Sequence, residues 1–296
     1  MFPILPVDPD SLIGDEQLGS KSKFWFAHGG KRWLFKLARE HTGEDWAEKV
    51  ASEVAKCVPV EAARVELADY RGRRGSASLS FIEENESLVH GNEILAGQIF
   101  GYDRQKRLKQ SDHTFDNIVA AVRKLVGGAE WYHEVLKELA RYIVLDALIC
   151  NTDRHHENWG FLTTYQTDDA GAVAMRFRMA PSFDHASSLG RELLDVRAAE
   201  ILEGNGVAAY AKRGHGGIYW GQSDARGANP IELVQLASGK FPDYFREPIA
   251  GVAETRVDKL LDIVDQVPNV VISEPSRRFA KALLAYTHRV LSGLAT

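Results

Sequence analysis

The sequence predicts an α+β fold of two unequal lobes: a small β-rich N-terminal lobe around one helix (residues 1–85) and a mainly helical C-terminal lobe (residues 86–296). Three observations predict it. Two strand–turn–strand patterns flank a single helical pattern in the first third of the chain, and helical apolar spacing dominates the remaining two thirds. The length, 296 residues, suits one large domain or two lobes of about 100–200 residues each. No internal repeat or low-complexity tract interrupts this order.

The elements arise from local chemistry. In "KFWFAHGGKRWLFKLA" two aromatic-rich runs meet at Gly29-Gly30, which supply the positive φ of a tight hairpin turn. Alternation puts Trp33, Phe35 and Leu37 on one face and Leu34 and Lys36 on the other. Thr42 and Asp45, three apart, approximate a capping box that opens a helix, with Trp46, Val50, Val54 and Cys57 as its buried stripe and Glu48 off that stripe. "AARVELADY" and "GSASLSFI" make a second hairpin around the solvated tip "RGRRG", and "EENESLVHG" reads as a polar, turn-like lobe boundary. Helices are expected at 115–126, 131–149, 230–238, 252–265 and 275–293, with a short hairpin formed by "WGFLTTY" and "AVAMRFRMA" among them.

Composition narrows the function classes. With 36 basic and 41 acidic residues the net charge is −5, so no global basic field recruits nucleic acid or an anionic membrane. The apolar run "YIVLDALIC" is broken by Asp146 and falls short of the roughly 20 residues of a membrane span. "MFPILPVDPD" lacks the basic and apolar regions of a signal peptide. The two cysteines, Cys57 and Cys150, form no CxxC pair, which argues against a disulfide scaffold or thiolate zinc site and fits a reducing cytoplasm.

The densest chemistry is "DRHHEN", Asp153 to Asn158, directly after the helix "EVLKELARYIVLDALIC". Alone it suits a metal site, a hydrolytic site, a phosphoryl-transfer loop or a polar turn at a helix end. Adjacent His155 and His156 are poorly spaced to ligate one ion. Asp153 and Asn158 have the five-residue separation of a protein-kinase catalytic loop, in which the Asp accepts a substrate hydroxyl proton and the Asn holds magnesium. A second metal ligand would come from "MAPSFDHASSLG", which places Asp184 just beyond a strand. Gly19, with Ser20, Lys21 and Ser22, precedes the first hairpin strand, where amides and hydroxyls would lie over phosphates. Lys36 can reach those phosphates and Glu48 can pair with it. The Gly-rich "KRGHGGIYWGQSD" reads as a connecting loop in the large lobe, with the shaping of a substrate surface as the alternative.

On "NTDRHHENWGF", "APSFDHASSLG" and "AEKVASEVAKCVPVEAARVEL" the chain resembles the HipA-like kinases, Ser/Thr kinases distantly related to the phosphatidylinositol kinases. The resemblance implies a bilobed protein-kinase-like fold and ATP- and Mg2+-dependent phosphorylation of Ser/Thr on a protein substrate. It implies Asp153 as catalytic base, His155 as a structural or charge-stabilising member of its loop, and Asn158 and Asp184 as magnesium ligands. Lys36 paired with Glu48 would contact the phosphates, and the backbone of Phe81, Ile82 and Glu83 would contact adenine. Toxin action with an antitoxin-like regulatory partner, and self-phosphorylation at Ser20 or Ser22, are further family properties. Only about 18 residues precede Gly19, as expected of a compact form without the extra N-terminal subdomain of full-length relatives. Alternatives are a lipid or small-molecule kinase, a non-catalytic nucleotide-binding interaction module and, least favoured, a metallohydrolase using Asp153, His155 and His156. No direct nucleic-acid or membrane binding is expected.

Overall fold

The computed structural model describes residues 1–15, 23–126, 129–167, 171 and 173–295. After β1 (Ile4–Pro6) and β2 (Leu12–Asp15), the aromatic hairpin forms as β3 (Lys23–His28) and β4 (Lys31–Leu37). Its turn residues Gly29 and Gly30 have φ of 58° and 70°, the sign a type I′ turn needs at both positions. Phe24, Phe26, Trp33 and Phe35 are buried with Val7, Ala68 and Ala77 in a small core on one face of the sheet. Lys36 is thereby committed to the other face, which α1 (Glu44–Ala55) covers.

The start of α1 differs from the expected capping box. Gly43 is its N-cap, and the Thr42 hydroxyl is already used, donating to Arg39 O at 2.9 Å. The helix is buried nearly all round, because the sheet lies on one side and the helical part of the chain on the other. Trp46, Val50 and Val54 belong to the main core, whereas Cys57 lies beyond the helix end and is half-buried.

Next, β5 (Val65–Tyr70) and β6 (Arg73–Leu79) form the second hairpin, whose tip is Arg71-Gly72. The tip is solvated, but Arg74 of the same basic run reaches Val271 O at 2.6 Å. With β1 pairing parallel to β5, the six strands take the order β1-β5-β6-β4-β3-β2.

"EENESLVHG" contains more order than its polarity suggests. Ser87–His90 is a strand, β7, and it pairs with β8 (Gly160–Thr167), which in turn pairs with β9 (Val173–Met179). A polar sequence is tolerated there because β7 is an edge strand of a three-stranded sheet. The remainder is helical: α2 (Gly91–Gln98), α3 (Phe115–Val126), α4 (Ala129–Ile149), α5 (Asp195–Glu203), α6 (Val207–Arg213), α7 (Pro230–Lys240), α8 (Pro242–Glu254), α9 (Val257–Asp265) and α10 (Glu274–Ser292). The helix expected over 252–265 is thus two helices. Thr255 breaks it by taking an extended backbone, its hydroxyl donating to Cys57 O at 2.9 Å.

The C-terminal half of α4 is the centre of the main core, with Ala140, Leu145, Ala147, Leu148 and Ile149 fully buried against α7, α8 and α10. It ends sharply. Cys150 takes a left-handed φ of 52°, and Asn151 N bonds back to Asp146 O at 2.8 Å, which satisfies a carbonyl of the last turn. Among the described residues no helix is long and apolar enough to cross a membrane.

Candidate active site

Three pieces of chain meet where β4, the inner face of α1 and the segment after β9 converge. Lys36 Nζ lies 3.3 Å from Glu48 Oε1 and 3.1 Å from Asp184 Oδ1. Glu48 is almost wholly buried, and its other oxygen accepts from Ser76 Oγ at 2.9 Å, so its carboxylate is fixed from both sides. Burial alone would push Lys36 toward the neutral amine, but the carboxylates of Asp184 and Glu48 outweigh it and hold its pKa above the ordinary value. Lys36 is therefore a permanent cation at neutral pH.

Asp184 reaches this point because its backbone has φ of 61°, a left-handed conformation that Asp tolerates better than most residues. Two backbone bonds fix the strand that delivers it: Ser182 N donates to Glu61 O and Ala63 N to Ser182 O, both at 2.8 Å. The segment after α1 and the segment before Asp184 are thus stitched together.

The loop after α4 is organised by Arg154. Its Nε and Nη2 bind Asp146 at 2.7 and 2.8 Å in a buried two-point pair, and Nη2 also donates to Ser182 Oγ at 2.9 Å. Its Nη1 donates to Asn158 O at 2.6 Å and to Phe183 O at 3.3 Å. One guanidinium thereby ties the backbone of Asn158 to the residue before Asp184. Asn158 Nδ2 donates to Asp153 O at 2.7 Å, which leaves Oδ1 as the amide atom suited to a cation. Asp153 itself is exposed, with Oδ2 accepting from Ser187 Oγ at 3.4 Å. Arg191 Nη2 donates to Ser187 Oγ at 3.1 Å while its Nη1 pairs with buried Glu44 at 3.0 Å, so contacts run from Asp153 to the first turn of α1.

His155 bends back on its own loop, Nδ1 accepting from Glu157 N at 3.2 Å. His156 and Glu157 fix the loop's shape: the buried His156 ring meets Tyr102 OH at 2.8 Å through Nδ1, and Glu157 pairs with Arg107 at 3.3 Å. Trp159 Nε1 donates to His113 Nε2 at 3.1 Å, which makes Nδ1 the protonated nitrogen of His113, donating to Gly217 O at 2.8 Å. Gly217 belongs to the Gly-rich loop after α6, and only glycine fits there: a Cβ would lie 2.7 Å from Arg154 O and from His155 N. Phe81 places its ring 5.5 Å from that of Phe183. Beside it the Ile82 and Glu83 amides are engaged locally, donating to Ser80 Oγ at 3.3 Å and Glu86 Oε2 at 3.2 Å. Gly19, Ser20, Lys21 and Ser22 lie outside the described residues.

The residue set suits magnesium with a nucleotide better than a metal held by protein alone. Among the described residues no cluster of three or more His, Cys, Asp or Glu side chains could hold a metal ion. Magnesium with phosphates needs only one or two protein oxygens, the remainder coming from phosphate and water. Asp184 and the Asn158 amide oxygen supply that kind of donor.

A profile of the HipA-like C-terminal domain matches residues 17–212, about two thirds of the chain. The chain belongs to this family. No curated protein matches it by sequence. Among solved structures it is similar to the proinflammatory kinase CtkA of Helicobacter pylori, with a TM-score of 0.76 and 17% identity, over 99% of this chain and 98% of that one. It is also similar to HipA of Shewanella oneidensis MR-1, solved in a toxin–antitoxin complex with HipB and operator DNA, with a TM-score of 0.57 and 12% identity, over 97% of this chain and 65% of that one. At such identities the likeness is one of fold, a bilobed kinase-like α+β architecture with a β-rich N-terminal part and a helical C-terminal part.

Within this family member, the buried histidines behind the loop make a pH prediction. Burial pushes His113 down to about 3 and His156 down to about 4, and burial beside the Arg154 cation pushes His185 well below 6.5. Between 6.5 and these depressed values the unfolded chain binds protons that the folded chain excludes. Their contribution is therefore fully present above pH 6.5 and is lost as the pH falls toward 4, by up to about 1.4 kcal/mol per pH unit for each histidine. Thermal melts from pH 7.5 to 4.5 should show a steepening loss of stability, shallower in His156→Gln; identical slopes in the two proteins would refute the assignment.

Proposed function

We propose that this chain is an ATP- and Mg2+-dependent protein kinase that phosphorylates Ser or Thr of a protein acceptor. The observation that carries the reading is the meeting of Lys36, Glu48 and Asp184 within 3.3 Å, next to the loop in which Arg154 joins Asn158 to Phe183. In this reading residues 1–85 hold the nucleotide and residues 86–296 the acceptor. Lys36, oriented by Glu48, binds the α- and β-phosphates, and the backbone at Phe81, Ile82 and Glu83 contacts the adenine, the Ile82 and Glu83 amides exchanging Ser80 Oγ and Glu86 Oε2 for it. Asn158 and Asp184 would hold magnesium, which when bound supplies neutralisation of the phosphate charge. Asp153 accepts the proton of the acceptor hydroxyl, and His155 shapes the turn that presents it. An antitoxin-like regulatory partner belongs to the same proposal, supported by family membership and by the likeness to HipA.

The test is transfer of label from γ-labelled ATP to dephosphorylated casein, to myelin basic protein and to the chain itself. Transfer that requires Mg2+ and stops on chelation is the expected result. Nucleotide binding without transfer to any of the three would refute the proposal in favour of a non-catalytic module.

A further inference from the structure

The loop joining α2 to α3 is built unlike the rest of the surface. Tyr102 and Gln110 are both buried, while every residue from 103 to 109 is exposed. Tyr102 is anchored on His156 at 2.8 Å, and Gln110 Nε2 donates to Asp103 O at 2.5 Å, so the two ends are pinned and the middle is held out in solvent. That middle carries Arg104, Lys106, Arg107 and Lys109 against the single carboxylate of Asp103, which accepts from Gln105 N at 2.9 Å. The chain as a whole is acidic, with net charge −5, so this concentration of cations is local. Leu108, 83% exposed, lies within it.

The loop is also next to the candidate catalytic loop. Arg107 pairs with Glu157, four residues beyond Asp153, and Tyr102 rests on His156. Lys109 keeps a lysine at a left-handed φ of 53°, where a glycine or asparagine would be less strained.

We propose that residues 103–109 are a docking site for an acidic segment of the protein acceptor, which the loop draws toward Asp153. The proposal rests on the kinase reading for the word acceptor, and on charge complementarity and position for the rest. An acidic peptide with one aliphatic side chain matches Arg104, Lys106 and Lys109 around Leu108, Arg107 being paired with Glu157. A nucleic acid matches less well, because the surrounding acidic chain repels a long polyanion and the loop offers an aliphatic rather than an aromatic side chain for base stacking.

Three fluorescein-labelled probes test it by anisotropy: a peptide with one serine among glutamates, the same peptide with lysines, and a single-stranded oligonucleotide. The proteins are wild type and the triple variant Arg104→Ala/Lys106→Ala/Lys109→Ala, with Arg107 kept because it pairs with Glu157. Wild type should bind the glutamate peptide best, more weakly as salt rises, and the variant should lose about tenfold in affinity, as expected for three exposed charge contacts. In transfer assays wild type should favour casein over myelin basic protein, and the variant should raise KM for casein while kcat and KM for ATP stay unchanged. Equal binding of the glutamate peptide by both proteins, or tighter binding of the lysine peptide or the oligonucleotide, would overturn the docking site. Charge-dependent binding without transfer to any acceptor would instead overturn the kinase reading and leave the acidic-segment site standing.

Discussion

Asp153→Asn should lower phosphoryl transfer by a factor of about 10²–10⁴, the range spanned by loss of a positioned general base. The amide is nearly isosteric with the carboxylate and Asp153 is exposed, so stability should change by less than about 0.5 kcal/mol. The groups proposed to hold nucleotide, Lys36 between Glu48 and Asp184, are untouched by the change, so affinity for ATP with Mg2+ should remain. The measurement is therefore a pair: initial rates of transfer, and nucleotide binding by titration calorimetry. Loss of binding together with rate would move Asp153 from proton acceptor to metal ligand. An unchanged rate would remove it from the chemistry and return weight to a non-catalytic module. Ser187 supplies a companion measurement. Its hydroxyl faces Asp153 Oδ2 and is held by Arg191, so Ser187→Ala should affect the rate less than Asp153→Asn.

The N-terminal hairpins are legible in the sequence because their chemistry is local. Gly29-Gly30 allows the positive φ that a two-residue hairpin turn needs at both positions, and alternation along "KRWLFKL" puts Lys36 opposite the aromatic face. That alone directs Lys36 toward α1 and Glu48. Strand β7 is illegible for the opposite reason: Ser87–His90 owes its extended form to pairing with β8, more than seventy residues later, and nothing in its own composition marks it. The expected Thr42 cap is lost to a competition between carbonyls and amides that spacing cannot decide, since the hydroxyl bonds to Arg39 O instead.

At the site, Asp and Asn at the two ends of "DRHHEN" have a separation that suits phosphoryl transfer, while nothing in the six residues themselves marks Arg154 as the organiser. Its signal lies elsewhere in the sequence. Asp146 interrupts the apolar run "YIVLDALIC", and a carboxylate in the buried part of a helix requires a cationic partner. The contacts of Arg191 with Glu44 and of Tyr102 with His156 join residues far apart in the sequence and are visible only in three dimensions.

Asp146→Ala should destabilise the protein by about 3–5 kcal/mol, because it leaves the Arg154 guanidinium buried without its counter-charge. Both carboxylate oxygens are in use: Oδ2 accepts from Arg154 Nε, and Oδ1 from Arg154 Nη2 and from Asn151 Nδ2 at 2.8 Å. Side chains on both partners are almost wholly buried, so water cannot replace the lost oxygens without opening the core. For a chain of this size a loss of that order lowers the melting temperature by roughly 10 °C. The double variant Asp146→Leu/Arg154→Met separates stability from positioning. Removing both charges eliminates the unpaired ion and should recover part of the lost stability. It should not recover phosphoryl transfer, because Asn158 O and Phe183 O then lack the shared donor that holds the two proposed metal ligands in register. Recovery of both together would mean that the pair serves folding alone; recovery of stability without activity is the expected outcome, and it would make Arg154 the residue through which the end of α4 sets the geometry of the site.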